Sequence, residues 1–547
     1  MAIPVDASGQ PVYVMKENVA RRTGDEALAN TLTVSLVLEE ITKSALGPSG
    51  FNKMLVGSFG DITYTKNGVT ILSEANIEHP VGKLYIEASK NLDKMAGDGT
   101  NRMIYLASKL VETGITYYKK GVHPTTIALG YEEARKFLND YVESISKRPA
   151  SEKYDTVLRN IIKTVVLPSI GRSELVYYEN IVNAIFQAAK SVTREVNGKK
   201  KIEVDDVAIV SKTGGSAFET SFIDGIIIDK EVAHPNMPKR ITGAKIALID
   251  FPLEVKKTEI SSELEFKSPE EILKLKEEER KSVTEKVEKI IQSGANVLIS
   301  QKAIDDKAAA TLARVGILAV KNAKRSDLEK LAEAIGARII SDYTDVSEKI
   351  LGEAKLVEER KYESTEKVIV VEGVKESKSV SILIRGVSKE STKEYERIVK
   401  KGLQSVANFY EDERYVPSGI ADIVGMAVAL RDYGMQKGGE ISLVIEGFSE
   451  ALFDLAGAIV GNSGMPVTKT IGDLRARNVK TKDKLFGIDV LTRKVVDVEE
   501  AGIIEPIKSV KLTLNVATEL ASTLLRIDDM FLTLKLPEKK ESKAERR

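Results

Sequence analysis

A short glycine-rich segment is the part of the sequence best suited to chemistry, and it reads Gly97-Asp98-Gly99-Thr100. It directly precedes residues 100–119, whose apolar spacing predicts a helix. Glycines let the backbone approach a ligand closely, and free amides at the start of a helix attract phosphate. Asp98 is itself an anion, so we interpret it as a ligand for a Mg²⁺ ion that bridges to phosphate. Without further support, an ordinary Asp-Gly turn would be the preferred interpretation.

Most other chemistries lack the residues that they need. The chain has no cysteine, which excludes disulfides, zinc–thiolate sites and cysteine nucleophiles. Its three histidines, His79, His123 and His234, each precede a proline, and we interpret them as structural turn residues. The sequence has neither a Walker-type phosphate loop nor a G-x-G-x-x-G turn after a strand, which argues against a Walker-type ATPase.

The composition indicates a soluble protein of several domains. A chain of 547 residues is too long for one hydrophobic core, so we expect two to four domains. Lys+Arg and Asp+Glu both number 81, and this balance argues against a nucleic-acid or membrane binder. No signal peptide is evident, and no apolar run approaches the ~18 residues needed to span a bilayer. We therefore expect a cytoplasmic protein without a membrane span.

The periodicity changes twice along the chain, which predicts an insertion nested inside a split helical domain. The first 150 residues are mostly helical in pattern, with a long helix over 25–45 that ends at Leu46-Gly47-Pro48. Short apolar runs then alternate with helical patterns, as in an α/β unit with a mainly parallel core. These runs are 226–228, 246–249, 297–299 and 316–320, with helices at 303–315 and 327–335. A strand pair follows at 368–371 and 381–384, and helical spacing then holds until about 534.

One predicted helix in the inserted region has an interrupted apolar face. It begins with Ser268 as N-cap and Pro269 at the first helical position, and residues 276–281 are all charged. Amphipathic spacing resumes at Val283, Val287 and Ile290. This predicts that the early part projects from its domain, although an ordinary solvated face explains the pattern equally well. A later capping box, Ser326 to Glu329, predicts the start of another helix.

Many short segments, in order along the chain, resemble group II chaperonin subunits, the family of archaeal thermosomes and their eukaryotic cytosolic relatives. The resemblance extends from about residue 9 to 534, and we identify the chain as a divergent archaeal-type member. The matching segments include Gly9-Gln10-Pro11-Val12-Tyr13, Leu46-Gly47-Pro48-Ser49-Gly50, Gly97-Asp98-Gly99-Thr100, Gly214-Gly215-Ser216, Pro252 to Glu259, Gly487 to Thr492 and Leu525 to Asp529.

The resemblance implies an α+β multidomain chaperonin fold, with a mostly helical split equatorial domain, a split intermediate domain and an inserted α/β apical domain with a helical protrusion. The implied limits are 1–148 and 403–535 for the equatorial domain, 149–215 and 369–402 for the intermediate domain, and 216–368 for the apical domain. The protrusion falls near 254–285, and 536–547 forms a charged tail.

The resemblance also implies ATP and Mg²⁺ as cofactors. The residues implied in ATP binding are Leu46, Gly47, Pro48, Gly97, Asp98, Gly99, Thr100, Gly419 and Glu500, with Asp98 as the metal ligand and Glu500 at the ribose. Client proteins are expected on an apical helix, at Ser326, Leu328, Leu331 and Ile335.

The sequence departs from the family at two aspartates needed for hydrolysis. Lys401 stands where the family has the aspartate that activates the attacking water, and Asn67 stands where a second aspartate lies. A lysine cannot take over as a base at neutral pH, because its unperturbed pKa is ~10.4. The family's Gly-Gly-Gly turn is reduced to Ser418-Gly419-Ile420. We expect a subunit that binds ATP but hydrolyses it slowly or not at all.

The expected partners are paralogous subunits in a double ring of eight or nine per ring, together with unfolded client proteins. Two alternatives stay open. The first is a structural ring or filament component that never folds clients. The second is an unrelated soluble ATP-dependent enzyme such as a kinase, which would need a substrate pocket with intact acid–base residues.

Overall fold

A computed structural model describes residues 19–57, 60–170, 175–254, 269–362, 367–374, 380–480 and 485–533. The motif at 9–13, residues 255–268 of the expected protrusion and the tail at 536–547 lie outside the described residues.

Fifteen helices occur in the described residues. In chain order they are α1 (Asp25–Lys43), α2 (Gly68–Glu74), α3 (Pro80–Ala96), α4 (Thr100–Lys119), α5 (Pro124–Ile145), α6 (Tyr154–Ile170), α7 (Leu175–Val192), α8 (Pro269–Gln292), α9 (Asp306–Val315), α10 (Arg325–Ile335), α11 (Lys389–Asp412), α12 (Ala421–Gln436), α13 (Gly439–Asn462), α14 (Val467–Lys480) and α15 (Ile507–Leu525).

The strands of the described residues are mostly short. They are β1 (Val19–Thr23), β2 (Lys53–Val56), β3 (Ile62–Thr65), β4 (Arg194–Val196), β5 (Lys199–Lys201), β6 (Val207–Thr213), β7 (Ser221–Ile223), β8 (Gly225–Ile228), β9 (Arg240–Ile249), β10 (Val297–Ser300), β11 (Leu318–Val320), β12 (Ile339–Ile340), β13 (Gly352–Lys361), β14 (Lys367–Val374), β15 (Val380–Gly386), β16 (Tyr415–Pro417), β17 (Phe486–Asp489), β18 (Lys494–Asp497), β19 (Ile504–Pro506) and β20 (Asp529–Thr533).

The chain divides into two compact units. The first combines 1–148 with 414–547, and the second is the continuous segment 149–413. Helices and sheets are both present in quantity, so the fold is a multidomain α+β fold with one segment nested inside another. The finer limits of equatorial, intermediate and apical domains stay a prediction.

The first unit is a helical assembly around α4, which packs against α1, α13 and α15. The buried face of α4 includes Met103, Leu106 and Leu110, each at most 2% exposed. These residues recur at the three- and four-residue spacing of an amphipathic helix, as the sequence predicts. Strand β1 pairs antiparallel with β20, so the first and last described strands of the chain form one ribbon.

All three histidines accept the same kind of local hydrogen bond from the backbone. The Nδ1 atoms of His79, His123 and His234 each accept a hydrogen bond from the backbone N–H two residues later, at 3.3, 3.2 and 3.2 Å. His79 and His123 thereby cap α3 and α5, each with a proline at the first helical position. The interpretation as structural turn residues is confirmed.

The main sheet of the second unit is mixed. Its strand order is β11-β10-β9-β13-β14-β8, with β12 also paired to β9. Strands β10, β11 and β12 run parallel to their neighbours, but β13, β14 and β8 are joined by antiparallel pairs. The expected mainly parallel core therefore describes only half of this sheet, because apolar runs show burial but not strand direction.

The expected strand pair at 368–371 and 381–384 is also wrong in its partners. Strand β14 belongs to the main sheet, whereas β15 is the centre of a second sheet of order β6-β15-β7. Residues 368–371 of β14 and all of β15 are buried, so the sequences of these segments fit either sheet.

Helix α10 begins one residue before the predicted capping box. Lys324 is the N-cap and makes no side-chain cap, while Ser326 Oγ lies 3.5 Å from Asp327 Oδ1. The backbone N–H groups of Asp327 and Leu328 already donate to Lys324 O, so the helix has started before Ser326. The capping-box prediction is wrong for this reason.

The later part of helix α8, where its apolar spacing resumes, packs into the domain core. Val287 and Ile290 are 3% and 0% exposed and belong to the core beneath the main sheet. Among the described residues, no helix is long and apolar enough to cross a membrane.

Candidate functional site

The Gly97–Thr100 segment forms a tight connection between α3 and α4 in the first unit. Gly97 and Gly99 have φ values of 71° and 89°, a region that residues with a side chain rarely adopt. The backbone N–H of Gly97 closes α3 by donating to Asp93 O at 2.8 Å, and Asp98 Oδ1 accepts from Gly99 N–H at 2.6 Å. A Cβ atom at Gly99 would lie 2.2 Å from Thr513 Oγ1 of α15. The loop is therefore held close against the helix bundle.

The first turn of α4 has the properties of an anion site. Its N-cap is Gly99, and no side chain caps the turn. The backbone amides of such a turn lack partners inside the helix and carry the positive end of the helix dipole. A phosphate group would satisfy both.

Asn101 connects this turn to two neighbouring loops. Its Nδ2 atom donates to Lys66 O at 2.7 Å and lies 3.4 Å from Ala45 O. The side-chain amide thus brings the Leu46-Gly47-Pro48 turn and the Asn67 loop to the start of α4.

The Leu46-Gly47-Pro48 turn is fixed by α13. Asn462 Nδ2 donates to Lys43 O and to Leu46 O at 2.8 and 2.9 Å. Gly47 has a φ of 74°, and a Cβ atom there would lie 2.9 Å from Ile459 Cγ2. Glycine is required at this position both by backbone conformation and by packing.

Asn67 serves a local structural role in this region. Its Oδ1 atom accepts from Thr70 N–H at 3.2 Å and caps α2, and its Nδ2 atom donates to Asp93 Oδ1 at 3.4 Å. An asparagine is among the best N-cap residues, which explains how this position is tolerated without a carboxylate.

Glu505 links α4 to the turn that precedes α12. Arg102 forms a two-pronged ion pair with Glu505, with N–O distances of 3.2 and 2.7 Å. Ser418 Oγ donates to the same carboxylate at 2.5 Å. Gly419 is therefore held next to the α4 start through Arg102 and Glu505, two side chains that the sequence analysis did not single out.

Ile420 adopts a conformation that glycine would prefer. Its φ is 64°, which is unusual for a β-branched residue, and its side chain is only 3% exposed. The last residue of the Ser418-Gly419-Ile420 turn thus has a left-handed backbone conformation, although it is an isoleucine and not a glycine. Burial of the isoleucine side chain opposes the strain of this backbone.

Glu500 lies in a loop that is joined to the same turn. Ser418 N–H donates to Ile503 O at 2.9 Å, and Ile488 N–H donates to Gly419 O at 3.0 Å. Glu500 itself is exposed, and its backbone N–H donates to Asp497 Oδ1 at 3.3 Å. These bonds join the chain near Glu500 to the Ser418–Gly419 turn.

Asp422, in the first turn of α12, is the least expected group in this region. It is 1% exposed, and no side chain among the described residues donates a hydrogen bond to its carboxylate. Burial, with a smaller contribution from Glu505, raises the pKa of Asp422 to about 7, while Arg102 acts in the opposite direction. A single aspartate within the apolar run 420–430 was the available sequence signal, because isolated buried acids mark functional sites.

The other site positions lie in the second unit. Lys401, on α11, donates from Nζ to Ser169 Oγ of α6 at 3.0 Å. On α10, Leu328, Leu331 and Ile335 are at most 5% exposed and form part of the domain core. In this structure these three side chains pack inside the domain, and client binding at this helix stays a prediction. Of the four predicted client-binding residues, Ser326 alone is exposed.

Asp98 fits a magnesium ion only together with a ligand. Within the described ranges, no group of three or more His, Asp or Glu side chains is arranged to hold a metal. Mg²⁺ is commonly bound through one or two carboxylates plus substrate phosphates, so a lone half-buried aspartate at an anion site suits it.

The comparisons with known proteins agree with each other. A model of the TCP-1/cpn60 chaperonin family matches residues 38–533. The chain is 38% identical over 534 residues to a thermosome subunit of Pyrococcus horikoshii, covering 98% of this chain and 96% of that protein. It is 38% identical over 536 residues to a thermosome subunit beta of Archaeoglobus fulgidus, covering 97% and 96%.

A thermosome subunit beta of Sulfurisphaera tokodaii is 39% identical over 540 residues, covering 98% of this chain and 97% of that protein. Similarity of this kind over nearly the full length excludes the alternative of an unrelated ATP-dependent enzyme such as a kinase. The chain belongs to the TCP-1/cpn60 chaperonin family.

Proposed function

We propose that this chain is a subunit of an ATP-dependent double-ring chaperonin that binds and encapsulates unfolded proteins. In this proposal the subunit binds ATP at the α4 start but hydrolyses it poorly, and it works in a hetero-oligomer with paralogous subunits that hydrolyse ATP. Membership of the chaperonin family supports the first part, since the resemblance covers almost the whole chain.

The observation that carries ATP binding is the α4 start. The backbone of Gly97–Thr100 and the uncapped first turn would bind phosphates, and Asp98 would hold Mg²⁺. Leu46, Gly47, Pro48 and Gly419 would line the same site, and Glu500 would contact the ribose. When bound, the metal would neutralise phosphate charge.

Poor hydrolysis is supported by the residues at the two altered positions. Asn67 is neutral and is used as the α2 cap, and Lys401 is a cation bonded to Ser169. Neither can remove a proton from water at neutral pH. The loss of one general base typically lowers a rate ~10²- to 10⁴-fold.

A phosphate-release assay on the purified full chain tests this proposal at the growth temperature of the source. We expect ATP binding by calorimetry together with turnover at least ~10²-fold below that of a thermosome subunit with both aspartates. Turnover equal to that subunit would refute poor hydrolysis, and absence of ATP binding would refute the nucleotide site.

The hetero-oligomer is supported by a physical argument. Ring closure driven by ATP needs some subunits that hydrolyse it, so a poorly hydrolysing subunit requires active neighbours. Thermosome subunits alpha and beta occur together in Archaeoglobus fulgidus, which supports rings of more than one subunit type. Native mass spectrometry of the complex from its source should show this chain with paralogues, and a ring of this chain alone would contradict it.

A structural ring or filament component is the alternative, and a client assay separates the two. We expect the native complex to suppress aggregation of an unfolded protein and to release it in an ATP-dependent manner. Failure to suppress aggregation, with or without ATP, would favour the structural role.

A further inference from the structure

Arg102 is a charged residue in the first turn of α4, two positions after Thr100. Its side chain is 17% exposed, and Glu505, 8% exposed, binds one edge of the guanidinium through the two terminal nitrogens. Glu505 is in turn held by Ser418 at 2.5 Å. Glu505 and Ser418 therefore hold the guanidinium of this first-turn residue in a fixed position.

Glu505 contacts this cation, and the carboxylates of Asp98 and Asp422 are near enough for their charges to act on it. Burial disfavours the charged form of Arg102, but the charges of Glu505, Asp98 and Asp422 outweigh it and raise the pKa of Arg102. Arg102 thus stays ionised in this environment. Asp422, which is 1% exposed, has this guanidinium as its main source of positive charge.

We propose that Arg102 is a phosphate-binding residue of the nucleotide site. Its positive charge would neutralise part of the phosphate charge, a role that it would share with Mg²⁺. The proposal rests on ATP binding by this chain. A guanidinium is planar and carries donors on more than one edge, so the edge that does not face Glu505 can bind a phosphate oxygen. Glu505 acts as a positioning residue, because it holds Arg102 beside the loop before the ligand arrives.

The inference has a consequence for metal dependence. Arg102 and Mg²⁺ act on the same phosphate charge, so each matters more when the other is missing. The nucleotide should retain affinity without divalent cation in the natural protein. Removal of Arg102 should weaken ATP binding more in the absence of Mg²⁺ than in its presence.

Calorimetric titration of the full chain with ATP, in MgCl₂ and in EDTA, measures this directly for the natural protein and for Arg102→Gln. In EDTA we expect the variant to bind ~10- to 100-fold more weakly, the range of a charge-assisted hydrogen bond. In MgCl₂ we expect the variant to lose clearly less affinity for ATP than it does in EDTA. Arg135→Gln is the matched control, because Arg135 forms a comparable two-pronged pair with Glu132 on α5 and is not among the residues expected to bind ATP.

A second variant guards against misfolding. Arg102→Gln leaves Glu505 and Asp422 without their cation, which can destabilise the fold. The double variant Arg102→Gln/Glu505→Gln removes opposite charges together, and circular dichroism checks that each variant is folded. The double variant should also lose affinity mainly in EDTA.

The outcomes are distinct. Equal losses in EDTA and MgCl₂, or no loss, would overturn the role of Arg102 while leaving ATP binding intact. Tighter binding by Arg102→Gln would mean that Arg102 obstructs the site, which also overturns the proposal. If the natural protein binds no ATP in either buffer, the proposed function itself fails.

Discussion

At the scale of single residues, the two positions where hydrolytic aspartates are missing are both occupied by side chains with local bonds. Asn67 caps α2 and contacts Asp93, and Lys401 bonds Ser169. An aspartate at position 67 is an equally good N-cap but cannot donate to Asp93, and an aspartate at position 401 can accept from the serine hydroxyl. The N-cap of α2 and the contact with Ser169 would therefore survive these substitutions, whereas the contact with Asp93 would be lost.

We expect the double variant Asn67→Asp/Lys401→Asp to release phosphate from ATP at least ~10²-fold faster than the natural chain, because a general base and a metal-directed charge are restored. Asn67→Asp/Lys400→Asp is the matched control. Lys400 is exposed and pairs with Glu396 one helical turn away. We therefore expect the control variant to release phosphate only slightly faster than the natural chain, because Lys401 is still present. A folded, ATP-binding double variant with unchanged turnover would argue against impaired catalysis at these positions.

The buried carboxyl of Asp422 should make stability depend on pH. Its pKa is raised to about 7 in the folded state, against ~3.9 in an unfolded chain. Between ~pH 4 and ~7 the folded state therefore binds more protons, and the free energy of unfolding falls as the pH rises through this window. Above ~7 the effect levels off.

We expect Asp422→Asn to lack this fall, so its melting temperature relative to the natural protein should increase from pH 5 to pH 8. Thermal unfolding followed by circular dichroism at both pH values measures the difference. Asp432→Asn, at an exposed position of the same helix, should track the natural protein. A constant difference between Asp422→Asn and the natural protein at both pH values would contradict the raised pKa.

At the scale of elements, the loop between α3 and α4 depends on two glycines for different reasons. Gly97 ends one helix in a left-handed conformation, and Gly99 begins the next while packed against Thr513. The loop must turn sharply, and at Gly99 it has no room for a side chain because α15 lies directly against it.

We expect Gly99→Ala to destabilise the protein by about 2–4 kcal/mol, from the left-handed backbone plus the clash with Thr513. Gly121→Ala shares a positive φ of 97° but has open space around its Cβ, so it should lose only about 1–2 kcal/mol. Urea unfolding monitored by circular dichroism compares the two. Equal losses would show that close packing at Gly99 contributes nothing.

At the scale of the whole molecule, the inserted segment leaves and re-enters the first unit at adjacent points. Lys147 N–H donates to Tyr415 O at 2.8 Å, and Tyr415 N–H donates to Lys147 O at 2.9 Å. This reciprocal pair sits just before and just after the segment 149–413, which forms a compact unit with its own buried core. Insertions whose ends are close together commonly fold as separate domains.

We expect the fragment 149–413 to fold by itself, because its helices and sheets bury their apolar faces on one another. Expression of this fragment, followed by circular dichroism and urea unfolding, should show helix and strand content with a cooperative transition. A fragment without such a transition would mean that its stability depends on the first unit.

The amino-acid sequence by itself determined the family, the nested organisation and, in the first unit, the positions of helices α1 and α4. It also identified the glycine-rich loop, because glycine adopts positive φ values without steric cost and so marks a sharp turn in the sequence itself. Sequence periodicity was sufficient for α4, whose buried residues fall at regular spacing.

The tertiary structure alone decided how strands pair and which charges meet. The buried strands β14 and β15 are equally apolar yet belong to different sheets, because apolar runs carry no information on partners. The leucines of α10 are helical as expected, but packing turns them into the core. Arg102, Asp422 and Glu505 are up to 403 positions apart, so only folding could reveal that they share one buried site.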